Sequence, residues 1–249
     1  MNIYLLDFFI LYDIISMVIK LRIIKRVLLF FFLIIFLGGS TIIGIGYSIY
    51  TKALKETPLT MKIEQIQSDE NYTKIEDLPK YYKDAVVSVE DRRFYDHGAI
   101  DIRSILRAIV TNIRKMELAE GGSTITQQLA KNLYFIEEKA VFRKVAEIFM
   151  AHLIEQNYSK DEILELYTNT CYFGDGYYGI KEASLGYLQK LPSEMNLDES
   201  TLLAGVPNAP SAYAPSKNPE LARERQEHVL ETMVTNHYIS QEEADQITP

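Results

Sequence analysis

EDRRFYDHGAID, Glu90 to Asp101, and GGSTITQQLAKN, Gly121 to Asn132, are the two stretches from which the rest of the chain can be read. The first sets a carboxylate beside arginines, an aromatic ring and a histidine. The second runs a glycine turn into a helix start carrying hydroxyls, amides and a lysine. Upstream of Glu90, Pro79 suits the first turn of a helix through KYYKDAVVSVE, which places Glu90 near that helix's C-terminal end. Further on, capping-box chemistry opens several helices: Thr124 with Gln127, Ser159 with Glu162, and Ser240 with Glu243. These signals predict a mainly α domain.

The same stretches hold the candidate chemistry. Glu90 follows the apolar run AVVSV, which would desolvate it and raise its pKa, while Arg92 and Arg93 would oppose that rise. Such a carboxylate suits a general base, although a glutamate beside two arginines is usually a surface ion pair. Gly121 to Thr124 offers free N–H groups and hydroxyls, Ser123 among them, at the positive end of a helix dipole, a ready phosphate site. Gln127, Gln128 and Lys131, three and four residues apart, would crowd one side of that helix; an ordinary capped helix with a solvated lysine reads the same way. In KAVFRKVAEIFMAHLIEQ, Arg143 and Lys144 stand four and three residues before Glu147, two cations beside one carboxylate. Val141, Val145, Phe149 and Leu153 form a stripe expected to be buried, with Glu147 close to it. The four histidines show no metal-ligand spacing. Cys171 is the sole cysteine, so no intrachain disulfide forms, and among aromatics it reads as a small core residue.

From Val27 to Tyr50 no charge interrupts the chain, about 24 residues or roughly 36 Å of helix, enough to span a hydrocarbon core of about 30 Å. Lys20, Arg22, Lys25 and Arg26 precede it, so the positive-inside bias puts the N-terminus in the cytoplasm and the working domain outside. A cleaved signal peptide competes, but the run is long and lacks a small-residue cleavage site. The first 19 residues carry Asp7 and Asp13 and suit an interfacial helix, and Met17 offers an alternative start. The expected divisions are an N-terminal segment 1–26, a transmembrane helix 27–50, a linker 51–77 in which MKIEQI alternates like a strand, and a catalytic domain 78–249. The net charge is −8, with ten acidic and three basic residues between Glu194 and Pro249, which disfavours nucleic acid as a partner.

The order EDRRFYDHGAID, GGSTITQQLAKN, RKVAE, SKDEILELYTN, FGDGYYGIKEA resembles the five ordered blocks of the peptidoglycan glycosyltransferase family, over about Leu78 to Ile247. The resemblance implies a lysozyme-like, bilobal helical fold with a cleft between a large lobe and a membrane-proximal jaw. It implies Glu90 as the base that deprotonates the 4-hydroxyl of incoming lipid II. The growing strand is then transferred with inversion and undecaprenyl diphosphate leaves. It implies Glu147 as a second carboxylate assisting the leaving group or helping hold a divalent cation, Mg2+ or Mn2+. Ser123, Gln127, Gln128, Lys131, Arg143 and Lys144 would line the donor site, and Phe94 and Arg107 would shape the cleft. Lipid II, the growing strand, membrane lipid and penicillin-binding transpeptidases are the partners implied.

The chain departs from the family pattern where Gly98 precedes Ala99, at Thr168, and at Tyr187-Leu188, all outside the acid-base and diphosphate groups. No serine-lysine transpeptidase motif follows before Pro249, so the resemblance is to monofunctional transglycosylases; a piece of a bifunctional protein would look the same. Two other functions fit the residues less well. A membrane-anchored muramidase would use two carboxylates but has no phosphate leaving group, and a non-catalytic scaffold would not need both glutamates and the cations together.

Overall fold

The computed structural model describes residues 3–115 and 121–247. Among them the architecture is mainly α, with no strand beyond an isolated antiparallel bridge between Tyr172 and Tyr178. Helix α1 runs unbroken from Ile3 to Glu56. Its portion from Lys20 to Glu56 is long and apolar enough to cross a membrane. The helix passes through both ends of the uncharged run expected to span, so no structural break marks residue 27 or residue 50. The side chains of Asp7 and Asp13 and the choice between Met1 and Met17 as start lie outside the described residues.

After Pro58 caps it, α2 (Leu59–Gln67) buries Leu59 and Ile63 in the domain core. The alternation in MKIEQI suggested a strand, but Leu59, Ile63 and Ile66 also repeat at helical spacing, and packing selects that period. Residues 51–77, expected as a linker or entry to the jaw, thus carry a helix that packs on the domain core. Helix α3 (Lys80–Glu90) starts after Pro79 and ends at Glu90, as the sequence predicts. It packs against α9 (Leu197–Gly205) and α11 (Pro219–Thr235). A second bundle joins α5 (Ile125–Ala130), α6 (Ala140–Asn157) and α7 (Lys160–Thr170). The core between them is filled by large rings, with Tyr82, Phe94, Phe135, Tyr167 and Phe173 all buried.

The remaining helices are α4 (Ile102–Lys115), α8 (Gly179–Leu188), α10 (Pro210–Tyr213) and α12 (Gln241–Asp245). The full capping boxes at Ser159 and Ser240 form as expected. Thr124 caps α5 through Gln127 N, but the Gln127 side chain turns elsewhere. The turn into α8 is held by Gly179 at φ 77°, where an added Cβ would sit 2.9 Å from the Asn169 carbonyl oxygen.

Helix α1 does not stop at the domain surface; its last turns dock along α6. Gly46 is buried there, and a Cβ on it would lie 2.5 Å from the Val145 Cβ. Tyr47 and Tyr50 pack on Phe149, with ring centroids 5.2 and 5.8 Å away. The stripe Val145, Phe149 is thus the seat of α1 rather than domain core, and Val141 at its head is exposed. The face of α6 turned to the core is instead Ala146, Glu147, Met150, Ala151 and Ile154.

Candidate active site

Glu90 ends α3 at the meeting point of two connected chambers of about 410 and 370 Å³, both lined by Val89, Glu90, Gly121, Ser123 and Asn208. Its side chain is only 9% exposed. Oε2 accepts a hydrogen bond from Gln128 Nε2 at 2.7 Å. Oε1 is buried with no hydrogen-bond partner, and Arg225 Nη2 stands 3.9 Å from it. Burial pushes the carboxyl above its ordinary pKa, while the Gln128 bond and the charges of Arg225 and Lys131 pull the other way without cancelling it. A raised carboxyl with one oxygen free of hydrogen bonds can take a proton from a hydroxyl.

The smaller chamber is cationic. Lys131, Arg143 and Lys144 line it together with Gln128 and Glu147. Lys131 opens a single π-turn, Lys131–Phe135, in which α5 continues. Such turns shift the register of the residues after them, and they recur at functional sites. Lys144 Nζ reaches both Ser123 Oγ at 2.8 Å and Glu147 Oε2 at 2.9 Å. Arg143 Nε pairs with Glu147 Oε1 at 3.2 Å, and its Nη1 donates to the Glu138 carbonyl. Glu147 is buried, so its charge is matched by these two cations rather than by water. Three cations against two carboxylates, Glu147 and Glu90, still leave one excess positive charge when both are ionised, a balance that favours an anionic group such as a diphosphate.

The larger chamber is lined by Arg92, Arg107, Asn208, Arg225 and His228 among others. Its floor is braced by Asp101, which accepts from Arg93 Nε and Nη2 at 3.0 and 2.8 Å and from Ser104 Oγ at 2.5 Å. Burial opposes ionisation of Asp101, but the Ser104 and Arg93 hydrogen bonds overcome it and hold the carboxyl far below the usual range. Asp91, next in sequence to Glu90, meets His97 Nε2 at 2.7 Å and accepts from the Ile125 N–H at 3.1 Å.

Most of the residues singled out in the sequence meet here: Glu90, Arg107, Ser123, Gln128, Lys131, Arg143, Lys144 and Glu147 all line one chamber or the other. Two do not. Phe94 is fully buried, its ring edge-on to Tyr95 and under the Lys160 ammonium at 4.4 Å, so it supports the first block from below rather than lining the cleft. Gln127 is 2% exposed and donates to the Ala99 carbonyl at 3.0 Å, tying the two blocks together. Arg225 and Asn208 were not anticipated from sequence. Arg225 stands in ARERQEH, where four charges in seven residues give no sign of which one turns inward.

The expected Mg2+ or Mn2+ would meet Glu147 with both oxygens already facing cations, and Glu90 with one oxygen held by Gln128 and the other 3.9 Å from Arg225. These residues do not fit a metal site built from protein ligands. Asp91, His97 and Asp101 do cluster, but their oxygens and the ring nitrogen are taken by the internal bonds just described.

A family model described as Transglycosylase matches residues 56–234. Among similar proteins, penicillin-binding protein 1A of Neisseria flavescens is 45% identical over 175 residues, 70% of this chain and 22% of that protein. Penicillin-binding protein 1F of Bacillus subtilis (strain 168) is 44% identical over 170 residues, 68% of this chain and 24% of that protein. The chain thus spans about a fifth to a quarter of the length of the curated relatives it matches. A crystal structure of penicillin-binding protein 1A from Haemophilus influenzae aligns over 71% of this chain and 17% of that one, at 24% identity and a TM-score of 0.43.

Proposed function

Because the chain belongs to the transglycosylase family, we infer a peptidoglycan glycosyltransferase that polymerises lipid II into glycan strands. The observation that carries this reading is the pairing of a buried, proton-accepting Glu90 with a cation-lined chamber that shares its walls. A hydrolase of finished glycan would have no phosphate for Lys131, Arg143 and Lys144 to receive.

Lipid II enters the larger chamber with its 4-hydroxyl toward Glu90 Oε1. Glu90 takes the hydroxyl proton as the oxygen attacks the anomeric carbon of the growing strand held on the other side. The new C–O bond forms as the bond from that carbon to the diphosphate oxygen breaks, with inversion. Undecaprenyl diphosphate leaves with the electron pair, its charge stabilised by Lys131, Arg143, Lys144 and the Ser123 hydroxyl. Glu147 keeps Arg143 and Lys144 aimed at that departing group.

Helix α1 anchors the enzyme in the membrane that holds its lipid-linked substrates. The basic residues before the apolar run place the N-terminus in the cytoplasm and the cleft outside. The product is an uncrosslinked strand, so penicillin-binding transpeptidases are the partners it serves.

The test is incubation of detergent-solubilised protein with labelled lipid II and separation of products by size. Long glycan made by the wild type supports the reading. No polymer, with cleavage of added glycan strands, would replace it by a muramidase; neither activity in a folded protein would leave a scaffold.

A further inference from the structure

Behind Glu90 lies a buried chain of polar groups that the reaction as described does not use. Gln128 Nε2 donates to Glu90 Oε2 at 2.7 Å, and Gln128 Oε1 accepts from the Tyr167 hydroxyl at 3.2 Å. Tyr167 is 2% exposed on α7, and the Cys171 thiol lies within hydrogen-bonding reach of the same hydroxyl. Asn132 Nδ2 approaches that sulfur at 3.9 Å from the other side.

An amide has two faces of opposite polarity, and only one is compatible with an ionised neighbour. With its NH2 toward Glu90, Gln128 stabilises the carboxylate. Turned over, it would set a carbonyl oxygen against a carboxylate oxygen, an arrangement that is satisfied only when Glu90 carries a proton. The Tyr167 hydroxyl has one proton to give, and the Gln128 carbonyl is where it goes. We propose that Tyr167 is a positioning residue for Glu90, its hydroxyl locking the Gln128 amide in the orientation that presents a donor to the carboxylate.

The other groups facing Glu90 do not do this work. Arg225 from α11 and Lys131 from the π-turn act through charge, Asp91 opposes them, and Tyr82 on α3 is a buried ring whose own ionisation burial and the nearby Glu90 disfavour. Across the shared cleft, Glu147 is matched by Arg143 and Lys144, and Arg107 and His228 line the far chamber. Among the described hydrogen bonds, the Gln128 side-chain amide meets only Glu90 and Tyr167.

The inference rests on Glu90 as base, so its test needs a readout besides turnover. In full-length protein in detergent, 13C-labelled glutamate carboxyls are followed by NMR across pH, with Glu90 assigned by its loss in Glu90→Gln. Tyr167→Phe keeps the ring and should move the Glu90 titration upward by about one pH unit, with the acidic limb of kcat/KM moving with it. In a Gln128→Leu background, the same Tyr167→Phe change should move it no further. An unmoved titration in Tyr167→Phe, or an equal shift in both backgrounds, overturns the proposal. A titration that moves while the activity profile stays put would keep Tyr167 as the positioning residue and instead remove Glu90 from its place as base.

Discussion

Arg225 Nη2 lies 3.9 Å from Glu90 Oε1, the one oxygen of that carboxylate with no hydrogen bond. The carboxylate is thus held by a hydrogen bond on one side and by a charge, at a distance, on the other. Contact too intimate would occupy the lone pair that must take the proton. At 3.9 Å the guanidinium steadies the charge while leaving that oxygen available.

Replacing Glu90 by Gln should cost about 10²- to 10⁴-fold in polymerisation, the range for losing a general base. Stability should move the other way. A carboxyl whose pKa is raised on folding favours the folded state at acid pH, and that contribution is lost as pH rises through the raised value. At neutral pH the Glu90→Gln protein should therefore melt no lower than the wild type. A clear drop in its Tm at pH 7 would contradict this account of the site.

Removing the charge at 3.9 Å, Arg225→Gln, should raise the Glu90 pKa further. The acidic limb of kcat/KM should shift to higher pH, with most of the lost activity regained as pH is raised. A loss equal at every pH would show that Arg225 serves binding alone.

Lys131→Ala should weaken the apparent affinity for the lipid-diphosphate donor by roughly ten- to a hundred-fold, the cost of one charge-assisted bond of about 1.5–3 kcal/mol. The Tm should change little, because Lys131 has no ion-pair partner among the described salt bridges. Unchanged donor affinity in a titration of lipid II would remove it from the diphosphate site.

Asp101→Asn should destabilise by about 3 kcal/mol, because it strands Arg93 beside a buried site and weakens the Ser104 bond. Since the carboxyl is depressed, its stabilisation is present above the unfolded value near 3.9 and is lost only as pH falls through the folded one. The penalty measured by thermal melts should accordingly be constant from about pH 5 to pH 8.

Much of this site was legible because its residues lie close together in sequence on single helices. Pro79 and the length of KYYKDAVVSVE place Glu90 at a helix end, and the spacing of Arg143, Lys144 and Glu147 alone brings them together. What could not be read was direction. Gln127 and Gln128 are neighbours of one chemical type, yet one faces the Ala99 carbonyl and the other Glu90; only the packing of α5 decides which. The family resemblance implied Phe94 as a shaper of the cleft, whereas its ring fills core. Arg225 was hidden for the opposite reason. A charge among charges gives no local sign that it turns inward, and its partner is on a helix far away in sequence. The stripe on α6 was rightly seen as apolar, but its occupant is the end of α1 and not the domain core.

Gly46 has a consequence beyond packing. Because the glycine lets α1 lie against Val145, and because α1 runs straight on to Glu56, there is no hinge between the apolar stem and the helix bearing Arg143, Lys144 and Glu147. In a bilayer the stem would act as a fixed gauge, setting the height at which the cleft stands above it. On the proposed reaction both lipid-bound substrates would then present their headgroups at that one height. A lengthening strand would be fed out sideways or upward, while the domain itself stays level.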